Sequence, residues 1–262
     1  MLILKILRYL FLVILPLILL VYLLFYSYFY FDAIKQMINQ VNAEAPHEII
    51  ETRSRKSYSL EEVNLIKDKA ALNSRLKMAE SDSIGLFINL SDSLVQLELR
   101  GVTLKQVKFT QFKYDRFFSA LHPAAYQAVF SKPLVIGRIE GASEKEPITY
   151  KKAPKDTIEA ALMPGPEKID TTKVEFIEWH MLLNHNIMVS VVQSDSEEGK
   201  WNEENRKYRV RRYLAGLKAN TTNVIHFRKI DYYPELTIFI PAGEAKSFYR
   251  ALPERGDVRM KF

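Results

Sequence analysis

The sequence predicts an α+β protein, mostly β with a few short helices, preceded by one transmembrane helix and a helical stalk. Three observations carry this. The head of the chain holds a run of 23 uncharged residues from Tyr9 to Phe31. From Ser83 onward the apolar residues recur at every second position, the period of a half-buried strand. Helical patterns after that point are short and are interrupted by proline or glycine. The implied division is an anchor over 1–32, a helical stalk or linker over 33–80, and a β-rich domain over 81–262.

At 1.5 Å per residue the uncharged run reaches ~34 Å, enough for a hydrocarbon core of ~30 Å. Pro16 lies within it and is tolerated where local adjustments satisfy the freed carbonyl. The outer end is dense in rings, Tyr22, Phe25, Tyr26, Tyr28, Phe29, Tyr30 and Phe31, which favour the headgroup boundary. A cleavable signal has an apolar core of about 7–15 residues closed by small residues, and this run is longer and ends in bulky rings. Lys5 and Arg8 precede it, while Asp32 and a lone Lys35 follow. The positive-inside rule therefore keeps the N-terminus cytoplasmic and sends the body across.

Ile34, Met37, Ile38 and Val41 continue at helical spacing until Pro46. Ser59-Leu-Glu-Glu62 has the form of a capping box that opens a helix to about Ala79. The basic residues Arg53, Arg55 and Lys56 between these helices suit either anionic lipid or a solvated linker. Strands are expected over Ile84–Leu90 and Leu94–Leu99, with the meander continuing from Val102 to Phe112. A helix divided at Pro123 should cover about Asp115–Phe130, followed by strands at Pro133–Ile139 and Ile148–Lys152 and an exposed loop over Ala153–Asp170. Val174–Leu183 and Asn186–Gln193 form an expected hairpin. Trp201–Leu217 reads as a basic helix with Tyr208, Val210, Tyr213 and Leu214 on its apolar side. Short strands at Val224–Lys229 and Leu236–Ile240, a helix at Glu244–Leu252 and a last strand at Val258–Phe262 complete the chain.

Composition narrows the function classes. The chain has no cysteine, which removes disulfides, thiolate metal sites and a cysteine nucleophile. An exported domain without disulfides suits a bacterial envelope, so the expected location is a bacterial inner membrane with the C-terminal domain in the periplasm. All 31 acidic residues follow Phe31, and 35 of the 37 basic ones do. That mild positive balance gives no argument for nucleic acid.

Two segments resemble the catalytic domain of bacterial L,D-transpeptidases, enzymes that crosslink peptidoglycan. Leu86-Phe-Ile-Asn-Leu-Ser-Asp-Ser-Leu-Val-Gln-Leu-Glu-Leu-Arg-Gly-Val102 is similar to the strand pair near the start of that domain. Ile238-Phe-Ile-Pro-Ala-Gly-Glu-Ala-Lys-Ser-Phe-Tyr-Arg-Ala-Leu-Pro-Glu-Arg-Gly-Asp-Val258 is similar to its closing strand, helix and strand. The family's nucleophile is a cysteine just before that ending. Here the segment is Pro234-Glu-Leu-Thr-Ile-Phe239, which sets Thr237 near the cysteine position. A threonine hydroxyl without a base is a weak nucleophile at neutral pH, so the resemblance implies a scaffold kept without its catalysis. It also implies peptidoglycan as a partner. The other expected role is a structural or assembly subunit among envelope proteins.

No residue pattern signals a cofactor. The five histidines, His47, His122, His180, His185 and His226, show no H-E-x-x-H spacing. His180 and His185 flank the expected turn, where they share a face with Glu178 or simply meet solvent. Glu61-Glu62, Glu197-Glu198 and Glu203-Glu204 are adjacent pairs that point to different sides of an element. The sharpest candidate binding surface is the basic helix, through Arg206, Arg209, Arg211 and Arg212, with Thr237 as the candidate on the β domain. On the solvated alternative, Tyr208 and Tyr213 pack inward and the arginines meet water.

Overall fold

The computed structural model describes residues 2–44, 58–142, 177–194 and 203–262, with the side chains of 2–10 and 203–205 left aside. Pro46, the basic residues at 53–56, the strand expected at 148–152, the loop at 153–170, and His47, Glu197 and Glu198 lie outside these residues.

Helix α1 (Leu2–Ala43) carries Pro16 in its interior and runs unbroken past the uncharged stretch. Every residue from Phe11 to Val21 is exposed. From Tyr22 a stripe at steps of three or four, Tyr22, Tyr26, Phe29, Ala33, Met37 and Val41, is partly or fully covered. Helix α2 (Leu60–Ala79) opens on the expected capping box, in which Glu62 N donates to Ser59 Oγ at 3.1 Å and Ser59 N donates to Glu62 Oε2 at 2.9 Å. Met37, Val41 and Ala70 belong to the same buried cluster as the strands. The segment expected to stand off as a stalk is therefore built into the domain.

Strands β1 (Gly85–Asn89), β2 (Leu94–Leu99), β3 (Val102–Lys108), β4 (Gln111–Tyr114), β5 (Leu134–Gly141), β6 (Glu178–Leu183), β7 (Met188–Ser194), β8 (Glu235–Pro241) and β9 (Asp257–Lys261) form one mixed sheet. Their order is β3-β2-β1-β9-β5-β6-β7-β8-β4, with β1/β9 and β7/β8 parallel. Between β4 and β5 lie α3 (Arg116–Ala120) and α4 (Pro123–Phe130), divided where expected because Pro123 sits at a helix start. Helix α5 (Glu203–Ile225) joins β7 to β8, and α6 (Ala242–Ala251) joins β8 to β9.

Four expectations need correction. Val102–Phe112 is two strands on opposite edges of the sheet, broken at Phe109 and Thr110. Phe109 N donates to Ser93 O at 3.0 Å, while Thr110 N donates to Phe239 O at 2.8 Å. Two residues span only ~7–11 Å, so the sheet curls until its edges approach at this corner. Val224–Lys229 forms no strand, because the helix continues through Ile225. The helices of the β-rich domain are not all short: α5 has 23 residues. Finally, of the apolar side expected on α5 only Tyr208 is partly buried, for Val210, Tyr213 and Leu214 are exposed.

Close approach explains one glycine. A Cβ on Gly85 would stand 2.6 Å from Met78 Sδ and 3.0 Å from Asp257 O, so glycine here lets α2 lie directly on β1. On the same face Arg259 of β9 and Glu98 of β2 form a bidentate pair at 2.7 and 3.1 Å. Their side chains are 4% and 1% exposed, and the guanidinium lies 3.3 Å from the centre of the Phe87 ring. Burial draws the Arg259 pKa down, against the opposing pull of Glu98.

Candidate functional site

Period-two alternation divides β6 between two environments. Trp179 and Met181 enter the core, where Trp179 packs 5.3 Å from Tyr249 of α6. Glu178 and His180 face the other way, towards α5. On β7 the residue registered opposite His180 is Ser190, and on β8 the residue registered with Ser190 is Thr237. Strand register therefore brings residues far apart in sequence onto one polar face.

A continuous chain of contacts crosses that face. Arg209 Nε donates to Glu178 Oε2 at 2.5 Å, Glu178 Oε1 lies 3.2 Å from His180 Nε2, and His180 Nδ1 is 2.7 Å from Ser190 Oγ. Ser190 Oγ donates to Glu235 Oε1, which faces Arg212 at 3.8 Å. Arg209 and Arg212 are one helical turn apart, so the chain begins and ends on α5 and fastens that helix to three strands. Tyr208, next to Arg209 on α5, stacks on the His180 ring at 6.0 Å. Glu178, His180 and Ser190 are all buried.

The polarity of these bonds determines what they can do. Because the Ser190 hydroxyl gives its proton to Glu235, its oxygen accepts from His180 Nδ1–H. A hydrolytic serine gives its proton to histidine instead. Ser190 is also only 1% exposed, which withholds it from a substrate. Burial would raise the Glu178 pKa, but hydrogen bonds from His180 and Arg209 and the charge of both outweigh it, and the carboxyl is held below its ordinary 4.5.

Beside this network opens a cleft of about 840 Å³ between α1, α5 and the sheet. Tyr26 and Tyr30 of α1 form one wall, and Tyr213, Tyr232 and Tyr233 contribute others. Five carboxylates line it, from Asp115, Glu140, Glu178, Asp231 and Glu235, against three guanidiniums, from Arg138, Arg209 and Arg212. Arg138 pairs with Glu140 at 3.1 Å. Asp115 accepts from Glu235 N at 3.0 Å and from the Tyr232 hydroxyl at 3.3 Å. Burial first, then the Asp115 charge, pushes the Tyr232 pKa up and keeps the phenol a neutral donor. The cleft is thus acidic and walled by phenols, a surface suited to ammonium groups and hydroxyls. Among the described residues no cluster of metal-ligating side chains occurs.

The sequence candidates separate on this geometry. Arg209 and Arg212 turn inward and line the cleft, whereas Arg206 and Arg211 are exposed. Thr237 lies on the same sheet face but outside the cleft lining, half-exposed between Ser190 and Lys113. His180 and His185 do not share a site: His180 is buried in the network, and His185 pairs with Glu44 at the end of α1 at 3.1 Å. Sequence reasoning missed Ser190, Glu235 and Asp115, and the only local signal was the Glu178-x-His180 spacing. Neither family models, nor curated proteins, nor solved structures yield a match to this chain, so the reading of the site rests on its own geometry.

Proposed function

We propose that this chain is a single-span protein of the bacterial inner membrane, N-terminus cytoplasmic, whose periplasmic domain binds peptidoglycan through the acidic cleft without catalysis. The observation that carries the reading is the cleft itself, whose carboxylate excess and tyrosine walls match the ammonium groups of wall stem peptides and the hydroxyls of the sugars. Helix α1 is the one helix among the described residues long and apolar enough to cross a membrane. Because Tyr26 and Tyr30 belong to that helix, the cleft opens beside the anchor. The two segments that resemble L,D-transpeptidases are neighbours in the sheet, with Leu86 registered to Val258. The bonding of Ser190 favours a binding role over a hydrolytic one.

The test is co-sedimentation of the full chain, in detergent, with purified sacculi. Wild type should be retained, and Asp231→Lys, which reverses an exposed carboxylate of the cleft, should weaken retention about tenfold, in line with loss of one favourable charge contact. Absence of retention, or retention indifferent to Asp231→Lys, contradicts the reading. A second reading, an assembly subunit of an envelope complex, is favoured by the exposed leucines Leu65, Leu72 and Leu76 on α2. It predicts retention only when partner proteins are present.

A further inference from the structure

The domain covers its own anchor from Tyr22 upward. The Tyr22 hydroxyl is 2.8 Å from Thr221 Oγ1 near the end of α5, and the Phe25 ring meets Phe227 edge-on at 6.0 Å. The part of α1 below this contact, Leu2–Val21, is ~30 Å long, the thickness of a hydrocarbon core. Packing thus shifts the span towards the N-terminus relative to the uncharged run. Lys5 and Arg8 then fall within the inner part of the span. The aromatic residues from Tyr22 onward become the outer boundary, level with the C-terminal end of α5.

That end is shaped for such a boundary. Helix α5 closes with Arg228 N donating to Asn223 O at 2.7 Å and Phe227 N donating to Val224 O at 3.0 Å. Phe227 takes the left-handed conformation, φ 53°, at a position where glycine is the usual residue. Its ring is nevertheless 73% exposed, beside Ile225 at 63%. A strained backbone that holds an aromatic ring out of the domain calls for an apolar medium to receive it. The exposed Arg228 and Lys229 follow directly, with Lys218 about two turns before the end of α5.

We propose that Ile225 and Phe227 insert into the outer acyl boundary of the membrane that α1 crosses, while Lys218, Arg228 and Lys229 meet the phosphates of anionic lipid. This rests on the spanning reading of α1. The surface fixes the domain's orientation and sets the mouth of the acidic cleft at headgroup level, with Tyr26 and Tyr30 just above the boundary.

The chain has no cysteine, so single cysteines report position directly. Leu15→Cys, Ile225→Cys, Phe227→Cys and Glu44→Cys variants of the full chain, labelled with a polarity-sensitive fluorophore, are reconstituted in vesicles of phosphatidylethanolamine and phosphatidylglycerol. A fraction of the lipid carries a quencher near the headgroup end of its acyl chain. Labels at Leu15, Ile225 and Phe227 should be quenched roughly twofold or more, and that at Glu44, ~28 Å further along α1 than Phe25, should be unaffected. The Ile225 variant retains Phe227, which guards against loss of the inserted ring itself. Quenching at Leu15 with none at Ile225 or Phe227 overturns the inference and leaves the span intact. No quenching at Leu15 overturns the spanning reading, and this inference with it.

Discussion

Two halves of the sheet each bury charge, and they do so in opposite ways. Glu98 and Arg259, on β2 and β9, form a sealed bidentate pair under α2, whose half-exposed Arg75 also stands 3.8 Å from Glu98. Glu178, His180, Ser190 and Glu235, on β6 to β8, form an extended chain that ends in half-exposed groups at the rim of a cleft. The sealed pair offers nothing to a ligand and serves to hold strands together. The open chain uses the same kinds of residue to fasten a helix while leaving carboxylates facing a cavity. Burial of charge is thus no guide to function by itself. What distinguishes the two is whether members of the network line a cavity.

The largest expected effect lies on the sealed side. Glu98→Ala leaves a buried guanidinium without its partner and should destabilise the full chain by about 3–5 kcal/mol in denaturant titration. Replacing both residues together, Glu98→Leu with Arg259→Met, should recover most of that loss, since the apolar pair carries no desolvation penalty. If Glu98→Ala proves neutral, the pair is not sealed and the contrast fails.

Gly85→Ala tests the packing above that pair. The added methyl meets Met78 and the Asp257 carbonyl, and a loss of about 1–3 kcal/mol is expected in the same titration. On the open side, Glu178→Gln should lower stability by about 1–3 kcal/mol at neutral pH, because it weakens the hydrogen bond from Arg209 and the contact with His180. It should also change the pH profile. The folded Glu178 carboxyl titrates below its ordinary 4.5, so its contribution is present above that value and is lost as pH falls through the folded pKa. Wild type should therefore lose stability below about pH 4.5 more steeply than Glu178→Gln, and parallel profiles would remove Glu178 from the network. The smallest effect belongs to Arg212→Ala. At 3.8 Å from Glu235 and 35% exposed, Arg212 is worth about 0–1 kcal/mol to stability. A greater loss would show that the rim is structural rather than open.

What could be read from the sequence was whatever depended on near neighbours. The capping box at Ser59, the division of a helix at Pro123, the hairpin of β6 and β7 and the closing β8-α6-β9 unit all follow from local spacing, and each is present. The break at Phe109 and Thr110 left no trace in the alternation, since both strands it separates keep their period while pairing with opposite edges of the sheet. The end of α5 misled in another way. Thr221-Thr-Asn-Val-Ile225 has poor helix propensity, but tertiary contact, with Thr221 bonded to Tyr22 of α1 and Val224 buried, overrides it. Arg209 and Arg212 were legible as a basic surface, yet their inward direction was not, because it depends on Glu178 and Glu235 arriving from two strands. The His180–Ser190 contact likewise exists only once strand register is set.

The account depends most on the domain docking against its own anchor, since that contact builds the cleft wall and sets it at the membrane. Tyr22→Cys with Thr221→Cys in the otherwise cysteine-free full chain, treated in native membranes with a short thiol-to-thiol crosslinker, tests this directly. The account predicts efficient bridging within one chain, and none between Tyr22→Cys and Lys105→Cys. Failure of the Tyr22–Thr221 pair to bridge, while each thiol still reacts with a monofunctional reagent, would contradict it.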